Sequence, residues 1–233
     1  MAWSLPQIDH YCCVICDAQF ASHEPGWCQH CGPDGSLIIQ YDKEYVLGTL
    51  SKELLAQDKN PGIERYRTLL PIPDKPCLPV LPVWRTPIVK ADRLEWPGGP
   101  LWIKDDSRLP SGSSKDRATF IVLSRALTYG SKGIICASAG NIASSLAAFC
   151  AATGIPGTII VPATLPEPKL VQIKITGARV ILINGNYDDA FDLSLELAEI
   201  LGHDLRSTAV NPFLAEGKKT CALEIAEQFN WDP

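Results

Sequence analysis

Short apolar runs alternate with helical stretches through the middle of this 233-residue chain. Runs that are continuously apolar, without polar residues at alternate positions, are typical of strands buried inside a parallel sheet. Such a sheet needs helices on both faces. The pattern therefore predicts an α/β fold with a doubly wound parallel sheet. The predicted strands are 101–104, 134–136, 158–161 and 180–183.

Two later helices are predicted from apolar stripes. The segment 188–201 repeats leucine at every fourth position, which places these side chains on one face of a helix. A second stripe lies near residue 225 and predicts another amphipathic helix. The stripes consist of Leu193, Leu197 and Leu201, and of Ala222, Ile225, Ala226 and Phe229.

The run 110–119 contains the lysine whose position most clearly indicates a role in chemistry. Ser113 and Asp116 have the spacing of a capping box, which predicts a helix beginning here. Lys115 then lies in the first turn, where the partial positive charge of the helix N-terminus disfavours an ammonium group. A neutral amine can form a Schiff base with a carbonyl cofactor and afterwards move protons. A solvated surface lysine is the alternative. The predicted apolar side comprises Ala118, Ile121, Val122 and Ala126.

A buried strand, a turn of small residues and an apolar helix are predicted within residues 133–152. A turn in this position directs free backbone N–H groups beyond the carboxyl end of the strand, which indicates an anion site. Capping of the helix by Ser138 and Asn141 is the alternative interpretation.

Taken together, the runs 110–119 and 137–141 are similar to the fold-type II pyridoxal-phosphate enzymes, and most closely to the threonine synthases. The stretches 62–73, 183–198 and 211–229 agree with this family in matching order. The resemblance implies pyridoxal 5′-phosphate as cofactor, with Lys115 as its Schiff-base lysine and acid/base. It also implies that Asn141 hydrogen-bonds the 3′-oxygen of the cofactor. The residues implied to hold the substrate carboxylate are Ser138, Ala139, Gly140 and Asn141.

Several positions depart from the family pattern. Ser114 stands where an aromatic residue commonly precedes the lysine, Arg108 where Asn is frequent, and Ile142 where Thr or His often follows the asparagine. The segment 82–88 also lacks the usual Gly-Glu-Gly before Thr-Pro. These departures leave the cofactor chemistry in place and bear on the choice of substrate.

Two Cys-x2-Cys pairs near the start of the chain predict a zinc ribbon. Four thiolates at this spacing can close one tetrahedral structural zinc site, and metal binding lets a segment without its own apolar core fold. Disulfides, or a thioredoxin-like motif, are the alternatives, and Cys12 could replace the first ligand. The predicted ligands are Cys13, Cys16, Cys28 and Cys31. The nearby histidines, interpreted as bystanders, are His10, His23 and His30.

The chain is predicted to have four parts. They are a zinc ribbon at 1–40, the first part of a large cofactor domain at 41–100, a small α/β domain at 101–205, and a return to the large domain at 206–233. The stretch 41–100 is rich in proline, which predicts an extended wrap over a neighbouring surface. Because no glycine-rich phosphate loop follows the strands, we expect this sequence to be the N-terminal part of a longer protein.

Charge and composition limit the partners. With 21 Lys and Arg against 26 Asp and Glu, a net charge of −5 and no basic run, nucleic-acid binding is disfavoured. The start has no signal-peptide pattern and no run is long enough to span a membrane, so we predict a cytoplasmic protein. Asp105 and Asp106 are interpreted as solvated. The cysteines interpreted as reduced core thiols are Cys77, Cys136, Cys150 and Cys221.

The function implied by the resemblance is conversion of O-phospho-L-homoserine and water to L-threonine and phosphate. The expected partners are then a small-molecule amino acid and further copies of the chain in a homo-oligomer, without nucleic acid or membrane. Two alternatives stay open. One is another pyridoxal-phosphate enzyme of β-replacement or elimination, of the cysteate synthase or threonine dehydratase type. The other is a non-catalytic zinc-ribbon interaction protein.

Overall fold

An antiparallel sheet opens the chain in this computed structural model, which describes residues 5–21, 26–73, 78–207 and 210–232. The strand order is β2-β1-β4-β3, and in the β1–β4 pair Tyr11 lies opposite Ile39. Tyr11, Leu37 and Ile39 are buried in the main core, so the sheet packs on the remainder of the molecule. The strands are β1 (Ile8–Cys13), β2 (Gln19–Ala21), β3 (Trp27–Cys28) and β4 (Gly32–Tyr41).

Two short helices and a hairpin connect this sheet to the α/β region. Helix α1 (Lys43–Thr49) begins where Asp42 accepts a hydrogen bond from the Tyr45 N–H, and Ser51 does the same for α2 (Lys52–Gln57) through Leu54 N–H. A 3₁₀ segment follows at Ile63–Leu69. Strands β5 (Ile88–Lys90) and β6 (Trp102–Lys104) then form an antiparallel pair.

The strand predicted at 101–104 exists as β6, but its assignment to the series of parallel strands is wrong. It pairs only with β5 among the described strands. Both Trp102 and Ile103 are exposed, whereas a strand inside a covered parallel sheet would bury both. A Pro-Gly-Gly-Pro run at 97–100 precedes β6 closely, and antiparallel neighbours can be joined by such short connections.

The parallel sheet has the strand order β10-β7-β8-β9, with pairing from Ile134 opposite Gly157 to Ala137 opposite Ile160 in its centre. A helix follows each of β7, β8 and β9, as parallel connections require. In chain order the elements are α3 (Lys115–Tyr129), β7 (Ile134–Ala137), α4 (Asn141–Thr153), β8 (Gly157–Pro162), α5 (Glu167–Lys174), β9 (Arg179–Ile183), α6 (Tyr187–Leu201), β10 (Asp204–Leu205) and α7 (Phe213–Gln228).

Side chains of each central strand alternate between two cores. Cys136 and Ile159 join the core that contains α3 and α4, whereas Ile135 and Ile160 join the core beneath α6. Helices therefore cover both faces, which confirms the doubly wound α/β prediction. The chain crosses the sheet from β9 to β10, so strand order reverses between β7 and β10. In such sheets a crevice opens at the carboxyl ends of the two strands at the reversal point.

The buried cysteines match their predicted surroundings. Cys136 and Cys150 are buried, and burial raises the pKa of each thiol to about 12. Cys221 is partly buried and is also an unpaired thiol, while Cys77 lies outside the described residues. Within the part of the chain that the structure describes, none of the helices combines the length and apolarity needed to cross a membrane.

Helix α7 packs closely along α3. The apolar stripe predicted on α7 is not the face that this helix buries. Ala222 is exposed, whereas Gly217, Thr220 and Glu224 are buried. A Cβ atom at position 217 would lie 2.7 Å from the Ala118 Cα and still closer to the Arg117 carbonyl oxygen. Glycine is therefore required at this crossing, and the buried face is polar because it meets a charged side chain of α3.

We expect Gly217→Ala to destabilise the chain by about 1–3 kcal/mol or more, because its methyl group would meet backbone atoms that cannot move aside alone. Urea unfolding monitored by circular dichroism measures the change. Gly48→Ala is the matched control: it lies in α1 with open space around its Cβ position and should stabilise by up to about 1 kcal/mol. Equal effects of the two substitutions would contradict the close helix crossing.

Candidate active site

The first turns of α3 and α4 lie side by side, and these turns carry the two principal predicted residues. Lys115 begins α3 and Asn141 begins α4. Four residues further along each helix, the Ser145 hydroxyl donates a 2.7 Å hydrogen bond to the Thr119 Oγ1. Residues four apart share a helix face, so this bond fixes the two N-terminal turns next to each other.

Lys115 is half-buried, and its Nζ lies 3.4 Å from the Ser114 hydroxyl. Among the described residues no carboxylate forms an ion pair with it. The predicted helix is present, and all four residues of its predicted apolar side are buried. The predicted capping box is wrong, because the Asp116 side chain does not pair with Ser113. The Asp116 carboxylate accepts hydrogen bonds from the backbone N–H and hydroxyl of Ser111, two residues before Ser113. The bend of the 111–114 loop causes this shift, since Gly112 has a left-handed backbone.

The turn 138–140 joins β7 to α4 at the carboxyl end of the sheet. The Ser138 hydroxyl accepts a 3.4 Å hydrogen bond from the Gly140 N–H, and α4 has no side-chain cap. The alternative interpretation, in which the side chain of Ser138 or Asn141 caps this helix, is therefore wrong. The Asn141 side chain is exposed at the crevice end of the sheet, and the first-turn N–H groups of α4 lack partners within the helix.

Arg206 ties the end of β10 to the lysine helix. Its Nη2 donates to the Lys115 carbonyl at 3.2 Å, and its Nε donates to the Thr119 Oγ1 at 2.9 Å. The sequence-based prediction missed this residue. Strand β10 has only two residues, so it leaves no apolar run that would mark Arg206 as the residue after a strand.

Two residues after the lysine, Arg117 forms a buried ionic network. Only 1% of its surface is exposed. Its guanidinium donates to Glu224 at 2.6 and 3.0 Å and to Asp106 at 2.8 and 2.9 Å. The Lys104 Nζ lies 2.7 Å from the same Glu224 carboxylate. The network thereby joins α3, α7, β6 and the 3₁₀ turn at Asp106–Arg108.

The interpretation of Asp106 as a solvated acid is wrong. It is half-buried, and burial, which opposes ionisation, is outweighed by hydrogen bonds from Arg117 and Thr86 that lower its pKa. For Arg117 too, burial disfavours the charged form, but the bonds to Asp106 and Glu224 leave its pKa above the ordinary value. These groups therefore remain charged and hold the start of α3.

The four predicted metal ligands come together at the tip of the N-terminal sheet. The Sγ atoms of Cys13, Cys16, Cys28 and Cys31 all lie within 4.8 Å of one another, with 3.7 Å between those of Cys16 and Cys28. Tetrahedral zinc with four thiolates separates its sulfur atoms by about 3.8 Å. The Cys12 Sγ contacts the Cys13 carbonyl and lies outside this group.

The surroundings of this cluster favour bound thiolates. Backbone N–H groups of Ile15 and His30 donate to the Cys13 and Cys28 sulfurs at 3.4 and 3.3 Å. A hydrogen bond from the backbone N–H of Cys16 is the main cause that lowers the pKa of Cys13 to about 7. The pKa of Cys31 is raised to about 12, mainly by the neighbouring Cys16 thiol. Four adjacent thiolates need a cation to coexist, so the donor set fits a divalent metal.

Glycine at position 35 lets β4 approach the cysteine cluster. A Cβ atom there would lie 2.6 Å from the Cys28 Cβ and 2.7 Å from the Cys31 Cβ. The histidines near the cluster have other neighbours: the His30 ring faces Phe20, and His10 contacts Asp9. This agrees with their interpretation as bystanders, and His23 lies outside the described residues.

The N-terminal sheet rests on helix α7. The Tyr11 ring meets the Phe213 ring edge-on with centroids 6.0 Å apart, and the Tyr41 hydroxyl donates to Glu216. The Lys219 ammonium lies 4.1 Å from the centre of the Tyr41 ring. Residues 216 and 219 share one side of α7, next to the side on which Gly217 meets α3. Phe213 lies four residues before Gly217, and its ring also contacts Arg125 of α3.

The residues around the crevice fit a carbonyl cofactor that carries anionic groups. A half-buried amine that forms no ion pair with any described residue stands at the first turn of one helix, and the adjoining helix begins with an amide side chain and first-turn N–H groups without partners inside the helix. Amines in such sites form Schiff bases, and helix N-termini favour anions.

Comparison with known proteins gives the family. A family model described as pyridoxal-phosphate dependent enzyme matches residues 80–233. This chain belongs to that family. It is 36% identical over 223 residues to the threonine synthase of Methanocaldococcus jannaschii and 33% identical over 226 residues to that of Methanosarcina acetivorans. These matches cover 94% and 95% of this chain but 54% of each relative, so the chain spans about half their length.

Solved structures agree with the fold. Maize serine racemase is similar with a TM-score of 0.56 and 25% identity, over 63% of this chain and 45% of that protein. Threonine deaminase isoform 2 from Solanum lycopersicum is similar with a TM-score of 0.55 and 29% identity, over 62% of this chain and 43% of that protein. The α/β architecture of the crevice is therefore that of fold-type II enzymes.

We expect Arg117→Met to destabilise the chain by about 3–5 kcal/mol, because it leaves buried carboxylates without their main partner. Urea unfolding measures the loss. Arg108→Ala is the control, since Arg108 makes an exposed ion pair with Asp105 and should leave the unfolding midpoint nearly unchanged. An Arg117→Met protein as stable as the wild type would show that the network does not hold α3 in place.

Proposed function

We propose that this chain is part of a pyridoxal-phosphate-dependent lyase that converts O-phospho-L-homoserine and water to L-threonine and phosphate. The observation that carries the proposal is the similarity to proteins named threonine synthase along 94–95% of this chain. The juxtaposed turns at Lys115 and Asn141 support it independently. We also propose a cytoplasmic location, since the buried cysteines Cys136 and Cys150 form no disulfide and a reducing compartment keeps such thiols unpaired. The division of the chain into four parts at residues 40, 100 and 205 stays a prediction.

Each residue of the crevice has a distinct task in this proposal. Pyridoxal phosphate, when bound, supplies an electron sink for negative charge that develops at the substrate Cα. The Lys115 Nζ holds the cofactor before substrate arrives and then accepts the proton from the substrate Cα. Arg206 and Thr119 keep the Lys115 turn in place through backbone and side-chain hydrogen bonds.

The turn before α4 orients the reacting molecules. Backbone N–H groups at Ser138, Ala139, Gly140 and Asn141 are proposed to bind the substrate carboxylate, because this turn ends a parallel strand and starts a helix. The Asn141 side chain is proposed to donate to the cofactor 3′-oxygen. Holding both groups fixes the Cα–H bond relative to the lysine amine.

Elimination without water addition is the second candidate reaction. The similarity to threonine deaminase, at 29% identity, favours it. Product analysis separates the two candidates. The full-length protein supplied with O-phospho-L-homoserine should release threonine and phosphate in equal amounts, whereas an elimination enzyme of the deaminase type should release ammonia and a 2-oxo acid from threonine or serine.

We expect Lys115→Ala to prevent covalent attachment of the cofactor and to reduce turnover at least about 100-fold, because it removes both the anchor and the proton acceptor. The measurement is borohydride reduction of the full-length protein with pyridoxal phosphate, followed by peptide mass spectrometry. The wild type should carry the label on the peptide that contains Lys115.

The matched control for this experiment is Lys169→Ala, an exposed lysine on α5. It should retain the label on the Lys115 peptide and the visible absorption of the bound cofactor. A label on a different lysine in the wild type, or an undiminished label in Lys115→Ala, would show that Lys115 is not the anchor.

We also propose that Cys13, Cys16, Cys28 and Cys31 bind one structural zinc ion. The four Sγ atoms lie at separations that a tetrahedral ion accommodates, and two backbone N–H groups donate to two of them. In this proposal the ion stabilises the fold of the N-terminal sheet and has no part in the reaction.

Metal analysis of the purified chain should find about one zinc per polypeptide, and the double variant Cys28→Ser, Cys31→Ser should lose it because only two thiolates remain. Cys12→Ser is the control, since this neighbouring cysteine lies outside the cluster, and it should keep the full zinc content. Equal zinc in wild type and double variant would overturn the ligand assignment.

A further inference from the structure

The end of strand β4 contacts helix α7 through a single carboxylate. The Tyr41 hydroxyl and the Lys219 ammonium both donate to the same oxygen of Glu216, and the ammonium also lies over the Tyr41 ring. Burial raises the pKa of Tyr41, and the Glu216 charge raises it further, so the hydroxyl keeps the proton that it donates. We call these three residues the clasp.

The clasp lies beside the point where α7 meets the lysine helix. Glu216 directly precedes Gly217, whose lack of a side chain lets α7 approach the backbone of Arg117 and Ala118. Lys115 lies in the same first turn of α3 as Arg117. Because backbone meets backbone here, without a flexible side chain between the helices, a displacement of α7 at this turn also displaces the start of α3.

A second set of contacts joins the N-terminal sheet to the lysine through the start of α7. The Tyr11 ring of β1 meets the Phe213 ring. The Phe213 backbone N–H donates to the Asn211 side-chain oxygen at 3.0 Å, and the Asn211 amide donates to the carbonyl that ends β10 at 2.7 Å. The next residue, Arg206, donates to the Lys115 carbonyl. Both sets of contacts begin in the sheet that carries the four cysteines.

The N-terminal sheet is the element of this connection that can exist in two states. Its strands β2 and β3 have only three and two residues, and the four clustered cysteines lie at its tip. Small segments built around such a cluster fold when the metal binds and lose their structure when it is removed. The position of Tyr41 depends on an ordered sheet, so metal loss would remove its contact with α7.

We propose that Tyr41 and Glu216 are positioning residues that couple metal binding at the four-cysteine cluster to cofactor binding at Lys115. This inference rests on the proposed function, which supplies zinc and pyridoxal phosphate as the two ligands. With metal bound, the ordered sheet holds α7 against α3 through the clasp. Without metal, α7 loses these contacts and the lysine amine loses its fixed position. Such coupling is reciprocal, so the cofactor also tightens zinc binding.

The test measures both affinities in the full-length protein. Pyridoxal phosphate is titrated into zinc-loaded and zinc-free protein and followed by the visible absorption of the bound cofactor. Zinc is titrated in competition with a chelator, with and without cofactor. Removal of zinc should weaken cofactor binding about tenfold, which is within the usual range for coupled sites, and the cofactor should strengthen zinc binding by the same factor.

Tyr41→Phe tests the route of the coupling. It removes only one donated hydrogen bond, so the variant should fold and bind zinc, but its coupling factor should fall to about twofold or less. Tyr45→Phe is the matched control, because it removes a hydroxyl that makes no hydrogen bond to any residue the structure describes, and it should keep the full coupling factor. A merely structural hydrogen bond would lower the unfolding midpoint of Tyr41→Phe and leave the coupling factor unchanged.

Equal cofactor affinity with and without zinc would overturn the proposal, and so would a coupling factor in Tyr41→Phe that equals that of the wild type. If the zinc-free protein unfolds completely, the zinc-loaded proteins decide. Tyr41→Phe and Glu216→Gln should then bind the cofactor more weakly than Tyr45→Phe, and equal binding in all three contradicts the role of the clasp. A wild type that binds no cofactor or no zinc overturns the proposed function and the coupling with it, whereas independent binding of both ligands overturns the coupling alone.

Discussion

The buried ion network of Arg117 is the constraint on which the remainder of the structure depends. One guanidinium joins Asp106 after β6 with Glu224 near the end of α7, and Lys104 neutralises the same glutamate. Removing such charges from water is costly, and the cost is offset only while every partner is present with good geometry. The network thus fixes the direction of α3 two residues beyond Lys115. Placement of the lysine follows from this long-range electrostatic contact and not from the helix alone.

Local patterns in the sequence predict the elements whose stability is local. The apolar run at Ile134–Ala137 and the small-residue turn before Asn141 identify a strand, a turn and a helix, because burial leaves a direct trace in hydropathy. The cysteine spacing similarly identifies the four sulfurs that come together. In each case, the partners are adjacent in sequence or share a repeat, so a single segment contains the whole signal.

Contacts between distant segments leave no such trace. Arg117 and Glu224 are 107 positions apart, and neither periodicity nor spacing connects them. For the same reason, the polar residues that α7 buries are interpreted from the sequence as solvent-exposed, and its apolar residues predict the wrong buried face. Strand β10 escapes notice because two residues cannot form an apolar run, and Arg206 was missed with it. The parts of the candidate site that sequence patterns omit are thus those that depend on the assembled fold.

Helix α7 explains why a zinc-ribbon-like sheet can accompany this α/β region. Its Gly217, Thr220 and Glu224 face α3, while Glu216 and Lys219 face the N-terminal sheet. The Phe213 ring, at the start of the helix, contacts both Tyr11 and Arg125. These sets recur at three- and four-residue spacing on two sides of one helix. The N-terminal sheet, which carries the four clustered cysteines at its tip, therefore covers the side of α7 that α3 leaves open. Its effect on the lysine is indirect: it stabilises the helix that carries Glu224, and Glu224 in turn holds Arg117.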